Sequence, residues 1–244
     1  MLDLVQIEDY SYEIHDNKTG ASLASFEVYS NPLHEGHAYL KPDLKTSDSS
    51  LAKEIFSLLY KEIARPMQIM TYSTPELYIF LTAGGFVRRR RCLEIEVTVE
   101  DRLMKSLPEL SLVSISKGQT LYKEACRMLY NSYKETPRAV NPLTADLKSF
   151  SQNLPNFVLA QVEEGQILHL AFVEEASDET EIAYVATTDL SSVEDFSYKW
   201  TERLVEKSSG LFFECDDTDP AAMVLKSCFA VEDPISFDTY VYEV

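Results

Sequence analysis

The chain has 244 residues, 45% of them hydrophobic and 25% charged, with a formal charge of −18 at pH 7. That length and balance suit one large or two small packed domains and exclude a disordered or fibrous polypeptide. No apolar run approaches the roughly 18–20 residues that cross a bilayer, and the N-terminus has no basic-plus-apolar leader, so the expectation is a cytoplasmic protein with no membrane partner.

In chain order, alternating segments near 10–16 and 21–30 predict a hairpin around "DNKTG", and a third strand follows near 36–41. Leu51, Ile55, Leu58, Leu59 and Ile63 recur at helical spacing, which predicts an amphipathic helix over 49–64. A short apolar strand over 67–72 leads to a Pro-initiated helix over 75–83, and strand residues close the segment over 86–98. Residues 99–110 read as a connection. Leu121, Ala125, Met128 and Leu129 then share one helical face, and "PLTADLKSFSQNL" supplies a second short helix.

From there the first pattern returns. A hairpin is expected near 156–162 and 166–175, a strand near 181–187, a helix over 191–207, a strand over 210–214, a Pro-initiated helix over 220–227 and a strand over 235–243. "HAYL" answers "IAYV", "PMQIMTYSTP" answers "GLFFECDDTDP", and "TAGGF" answers "LKSCF". Spacings agree within a residue or two, which identifies an internal repeat of about 75 residues, closer to a duplicated domain core than to a solenoid.

The order strand, two helices, hairpin, strand, helix, strand, helix, strand resembles the Gcn5-related N-acetyltransferase (GNAT) fold. Residues 111–244 resemble one complete domain of that family. Residues 1–98 resemble a copy that lacks the first two helices, and 99–110 link them. The resemblance implies an α/β (α+β) architecture of two GNAT-like domains, each a mixed, mostly antiparallel sheet flanked by helices. It also implies acetyl-CoA or CoA as cofactor, a small-molecule or peptide amine as acceptor, and N-acyl transfer as the reaction. A degenerate GNAT-fold binding or regulatory module is the alternative.

In the family a Gly-rich loop after the third strand holds the pyrophosphate on backbone N–H groups and a helix N-terminus. Here the first copy has Lys45, Thr46, Ser47, Asp48, Ser49 and Ser50 in that place. It has no glycine, but one cation and several hydroxyls. The second has Asp189 to Glu194, with two acids and no base, so the first is the better cradle. In both copies the plainer reading is a Ser/Asp-capped helix start. Backbone N–H groups near Leu40–Lys41 or Val185–Ala186 would polarise a thioester carbonyl. Glu181 stands where many members carry a general base. The family's usual acid, a tyrosine in the last helix, is replaced by Leu81 and Val224, with Tyr78 one turn earlier.

Residues 1–120 hold 17 acids and 13 bases, and the remainder 23 and 9. Such a surface repels nucleic acid and favours solubility or cationic partners. Cys92, Cys126, Cys215 and Cys228 lack CxxC spacing and suit buried thiols. His34 and His37 in "HEGH" lack the partners of a metal site, and His169 in an apolar strand reads as a satisfied core residue. "ECDDTDP" lacks the pattern of a calcium loop; it reads as helix capping by Asp217 or Thr218, or as an acidic mouth for a cationic amine. "TAGGFVRRRR" places Gly84 and Gly85 at a left-handed helix C-cap. Arg88 to Arg91 follow on a strand, with an expected electrostatic role against Glu94, Glu96 or the acidic second half.

Overall fold

The computed structural model describes residues 1–107, 109–175, 179–205 and 207–243. Pro108 in the expected connection, Glu206 in an expected helix and Val244 lie outside them. The chain forms two compact units, one of Met1–Arg91, Arg138–Thr144 and Ile235–Val244, the other of Cys92–Pro137 and Ala145–Pro234. No helix among the described residues is long and apolar enough to cross a membrane.

The first unit runs β1 (Leu2–Glu8), β2 (Ser11–Asp16), β3 (Ser22–Asn31), β4 (His34–Leu44), α1 (Ala52–Ile63), β5 (Met67–Tyr72) and α2 (Pro75–Ala83). Strand β6 (Val87–Val97) begins in this unit and ends in the second. The second unit continues with β7 (Leu112–Ser116), α3 (Thr120–Glu135), α4 (Leu147–Ser151), β8 (Phe157–Glu163), β9 (Gln166–Glu175) and β10 (Glu179–Thr187). It ends with α5 (Val193–Val205), β11 (Gly210–Asp216) and α6 (Pro220–Ser227), after which β12 (Phe237–Tyr242) returns to the first unit. Strand β1 has no counterpart among the sequence expectations.

Within the first unit the strand order is β1-β2-β3-β4-β5-β12-β6, and within the second β6-β11-β10-β9-β8-β7. The pairings are antiparallel except β4 with β5 and β10 with β11. Each unit is therefore a mixed, mostly antiparallel sheet flanked by helices.

The units differ from the sequence-based boundaries of 1–98 and 111–244 at three places. The repeat makes 235–243 the closing strand of the second copy. Instead β12 pairs with β5 of the first unit, from Phe237 against Tyr72 to Tyr242 against Met67. Reciprocally, Cys92–Val97 of β6 pair with β11 in the second unit. Segment Arg138–Thr144 also belongs to the first unit, where Asn141 Nδ2 donates to Tyr39 Oη (2.9 Å) and Gln68 Oε1 (3.1 Å). Strand character is a local property, whereas pairing is decided by which edge is free and which face must be covered.

Phe56 of α1 is central to the first core, with T-shaped contacts to Phe26, Phe80 and Phe86. That ring explains Gly84: a Cβ there would lie 2.4 Å from Phe56 Cδ2. The expected left-handed cap is thus half right. Gly85 has φ +101°, but Gly84 is right-handed and is glycine for lack of room. In the second core Trp200 and Phe196 of α5 pack with Phe213 and Phe229. Helix α2 is capped by Thr74, whose Oγ1 accepts from Leu77 N–H, and opens with Pro75. In α6 the cap is Asp219, not Asp217 or Thr218: its carboxylate accepts from the Ala221 and Ala222 N–H groups.

Candidate functional site

In the first unit β4 and β5 run parallel and paired only from Ala38–Leu40 against Met67–Ile69. Beyond that point β4 stays bonded to β3 through Pro42 and Leu44, while β5 stays bonded to β12. Each strand follows its outer neighbour, so the two part. The gap is a cavity of about 470 Å³ lined by Leu40, Lys41, Pro42, Leu44, Met70 and Leu77, with Tyr29 and Thr71. Its walls are mostly apolar, and a volume of this size accepts a small ligand. Leu40 is buried, and Lys41 pairs with Glu27 at the surface (3.5 Å). Pro42 has no N–H, so donors on this edge come from its neighbours.

The cavity's strand leads into the 45–50 turn. Asp48 N–H donates to Thr46 Oγ1 (3.2 Å), and Ser50 N–H and Oγ–H donate to Asp48 Oδ1 (3.0 and 2.7 Å). These Ser50 bonds hold the Asp48 carboxyl below its ordinary range. Lys45 Nζ reaches Ser22 Oγ (3.2 Å), and Ser47 is exposed. The turn thus brings Lys45 and the hydroxyls of Thr46, Ser47, Ser49 and Ser50 together before α1, with Asp48 among them.

The second unit repeats the parting of strands. β10 and β11 pair from Glu179–Ile182 against Gly210–Phe213, and β10 is irregular against β9 between Ile182 and Tyr184. Val185 and Ala186 are buried beyond the irregularity. Glu181 lies directly across from Glu174. Although Glu181 is exposed as a residue, partial desolvation of its carboxyl is the largest cause of a raised pKa. Glu174, Glu214 and Glu179 raise it further. A carboxyl pushed upward by desolvation, and further by like charges, binds a proton more readily, which suits a proton acceptor.

The positions of the family's tyrosine hold no proton donor in either unit: Leu81 is fully buried in the first core, and Val224 packs against the second. Tyr78 is exposed, with the Arg88 guanidinium 5.3 Å from its ring centroid. His34 and His37 are buried and hydrogen-bonded. His34 Nδ1–H donates to the Pro142 carbonyl (3.2 Å) and His37 Nδ1–H to Gln68 Oε1 (3.1 Å).

Sequence reasoning misses one cluster of the first unit. Asp238 is fully buried on β12, accepts from Ser73 Oγ–H (2.7 Å) and pairs with Arg88 (3.2 Å); Tyr240 Oη also bonds Ser73. Its members lie some 165 residues apart in the chain, and only the β5–β12–β6 order unites them. The same order explains the arginine run. Arg88 reaches Asp238, Arg89 Glu243, Arg90 Thr239 and Arg91 Ser236, so all four bind the C-terminal segment. Asp238 and Glu243 belong to the acidic second half, one of the partners expected for this run.

Both units thus share parted parallel strands with a helix after each, and the second adds an irregular central strand. No family model and no curated protein matches the sequence. Solved structures do. A GCN5-related N-acetyltransferase from Sphaerobacter thermophilus is 11% identical with a TM-score of 0.55, over 98% of this chain and 82% of that one. A tandem GNAT protein from the clavulanic acid biosynthesis pathway is 10% identical with a TM-score of 0.51, over 96% and 82%. A GCN5-related N-acetyltransferase from Kribbella flavida is 13% identical with a TM-score of 0.50, over 100% and 90%. The chain has the GNAT fold, and likeness at these identities shows the fold alone.

Proposed function

We propose that the protein is an acyl-CoA-dependent N-acyltransferase whose donor, acetyl-CoA or a close relative, is held by the first unit. The observation that carries this reading is the cavity between β4 and β5. Leu40, Leu44, Met70 and Leu77 offer apolar walls suited to a pantetheine arm and a short acyl group. At the diphosphate end Lys45 supplies a cation, and Ser47 and Ser49 supply hydroxyls, while Thr46 and Ser50 are engaged by Asp48. When bound, the cofactor supplies an activated acyl group. The chain's own part is to orient that group and to polarise its carbonyl by N–H groups at Leu40–Lys41.

Were the second unit to hold the donor instead, Glu181 would take the amine proton and Val185–Ala186 would form the matching strand edge. The acidity of the chain favours a cationic amine as acceptor.

Thermal unfolding with acetyl-CoA and CoA tests the reading. A ligand at 100 times its Kd adds about 2.7 kcal/mol, or on the order of 5–10 °C for a chain of this size. Met70→Trp, which fills the cavity, and Lys45→Glu should each reduce the shift. No shift with wild type at millimolar ligand overturns the donor assignment.

A further inference from the structure

The turn of the second unit that corresponds to 45–50 is Thr187–Ser192, and its four hydroxyls and the N–H groups of Thr188, Asp189 and Ser191 are engaged within the chain. Asp189 N–H donates to Thr187 Oγ1 (2.9 Å), and Thr188 N–H and Oγ–H donate to the Leu168 carbonyl (3.0 and 3.2 Å). Ser191 N–H and Oγ–H both donate to Asp189 Oδ1 (2.9 and 2.7 Å), and Ser192 Oγ–H donates to Asp189 Oδ2 (2.8 Å). Because the Ser192 proton goes to Asp189, Ser192 accepts from His169 Nε2–H (3.1 Å). His169 is fully buried, stacks near Phe196, and has Nδ1 2.7 Å from Thr187 Oγ1, so it braces the turn from below.

Charge points the same way. From Thr187 to Tyr198 the chain carries Asp189, Glu194 and Asp195 and no lysine or arginine. Lys105, a cation that reaches Glu194 and Asp195, is bonded to both (2.7 and 2.9 Å). The positive end of the α5 dipole already faces three carboxylates.

We infer that Asp189 is a resident substitute for phosphate: its two carboxylate oxygens take the serine donors at the start of α5 and close the second unit to the diphosphate of an acyl-CoA. The family's phosphate loop and this turn disagree in charge and in free hydroxyl donors, and the disagreement is built in by Asp189 and the His169 brace. The chain then has at most one donor site of that kind. The inference stands whether or not the first unit holds a donor.

Backbone NMR of the full chain, titrated with sodium pyrophosphate and separately with CoA, tests it. In wild type the amides of Thr187–Val193 should show no saturable shift up to about 10 mM ligand. Asp189→Ala should gain a saturable pyrophosphate shift at Ser191 and Ser192, at least about tenfold tighter than wild type, because donors are freed and a like charge is removed. Asp189→Asn, which keeps the side-chain shape, should gain a weaker one. Saturable shifts of Ser191 and Ser192 in wild type overturn the inference, as does a folded Asp189→Ala indifferent to pyrophosphate. Shifts at Lys45–Ala52 report on the first unit independently, so failure of the donor assignment is read separately.

Discussion

The two turns that precede α1 and α5 are built from the same residue types and do different things. Before α1, Asp48 turns onto Ser50 alone, and Lys45 and Ser47 stay at the surface beside a 470 Å³ cavity. Before α5, Asp189 gathers two serines, and a buried histidine locks the second of them. Serine and aspartate before a helix thus define a start, but only the neighbours decide whether donors remain for a ligand. The lesson extends to the ends of the units. Gly84 leaves room for the ring of Phe56, whereas the second repeat has Ser227 at the matching place.

The largest expected effect comes from the strand that only the first unit receives. Asp238→Ala removes the buried acceptor of Ser73 and Arg88 and should cost about 2–3 kcal/mol, since Arg88 is part-exposed and recovers some hydration. Urea unfolding measures it. Asp238 titrates below its ordinary range, because its hydrogen bonds with Ser236, Ser73 and Arg88 and the Arg88 charge outweigh burial, which alone would raise it. Its folded pKa is depressed, so this stability is present above about pH 4 and lost as pH falls through the folded pKa. In Asp238→Asn that acid loss should shrink.

Next in size, Gly84→Ala should destabilise by about 1–3 kcal/mol, because the ring of Phe56 has to move. Ser227→Ala should change little, and equal costs at the two sites would break the contrast. Smaller again is Glu181→Gln. The folded carboxyl has a raised pKa, so ionisation there opposes folding as pH rises through that value. The variant should melt slightly higher than wild type at pH 7 and equally at pH 3. The smallest effect belongs to Arg89→Glu, which loses an exposed pair to Glu243 worth at most about 0.5 kcal/mol. A loss above 2 kcal/mol would place Arg89 in a tighter network than its 3.5 Å contact suggests.

Much of the local structure was legible. The helices over 75–83 and 220–227 and the strands over 67–72 and 166–175 are found where proline, apolar spacing and alternation predict them. Helix α1 begins three residues later than expected, because Asp48–Ser50 form a turn of their own. Strand β1 was missed, since only Leu2 of its residues is buried and its alternation is weak. In the candidate site, Leu40 and Lys41 do line the cavity, yet Leu44, Met70 and Leu77 were invisible as a set. They come from three elements, and only the parting of β4 from β5 assembles them.

The sequence by itself determined the two series of elements, the prolines that open α2 and α6 and the charge of the surface. These follow from side-chain periodicity, fixed proline geometry and composition, all of which act over a few residues. The tertiary structure alone decided that β12 completes the first unit, that Cys92–Val97 of β6 serve the second, and that Asn141 belongs with Tyr39 and Gln68. A strand's residues specify that it pairs and which face it buries. Its partner is chosen by hydrogen-bonding edges and core surfaces contributed from far away in the chain.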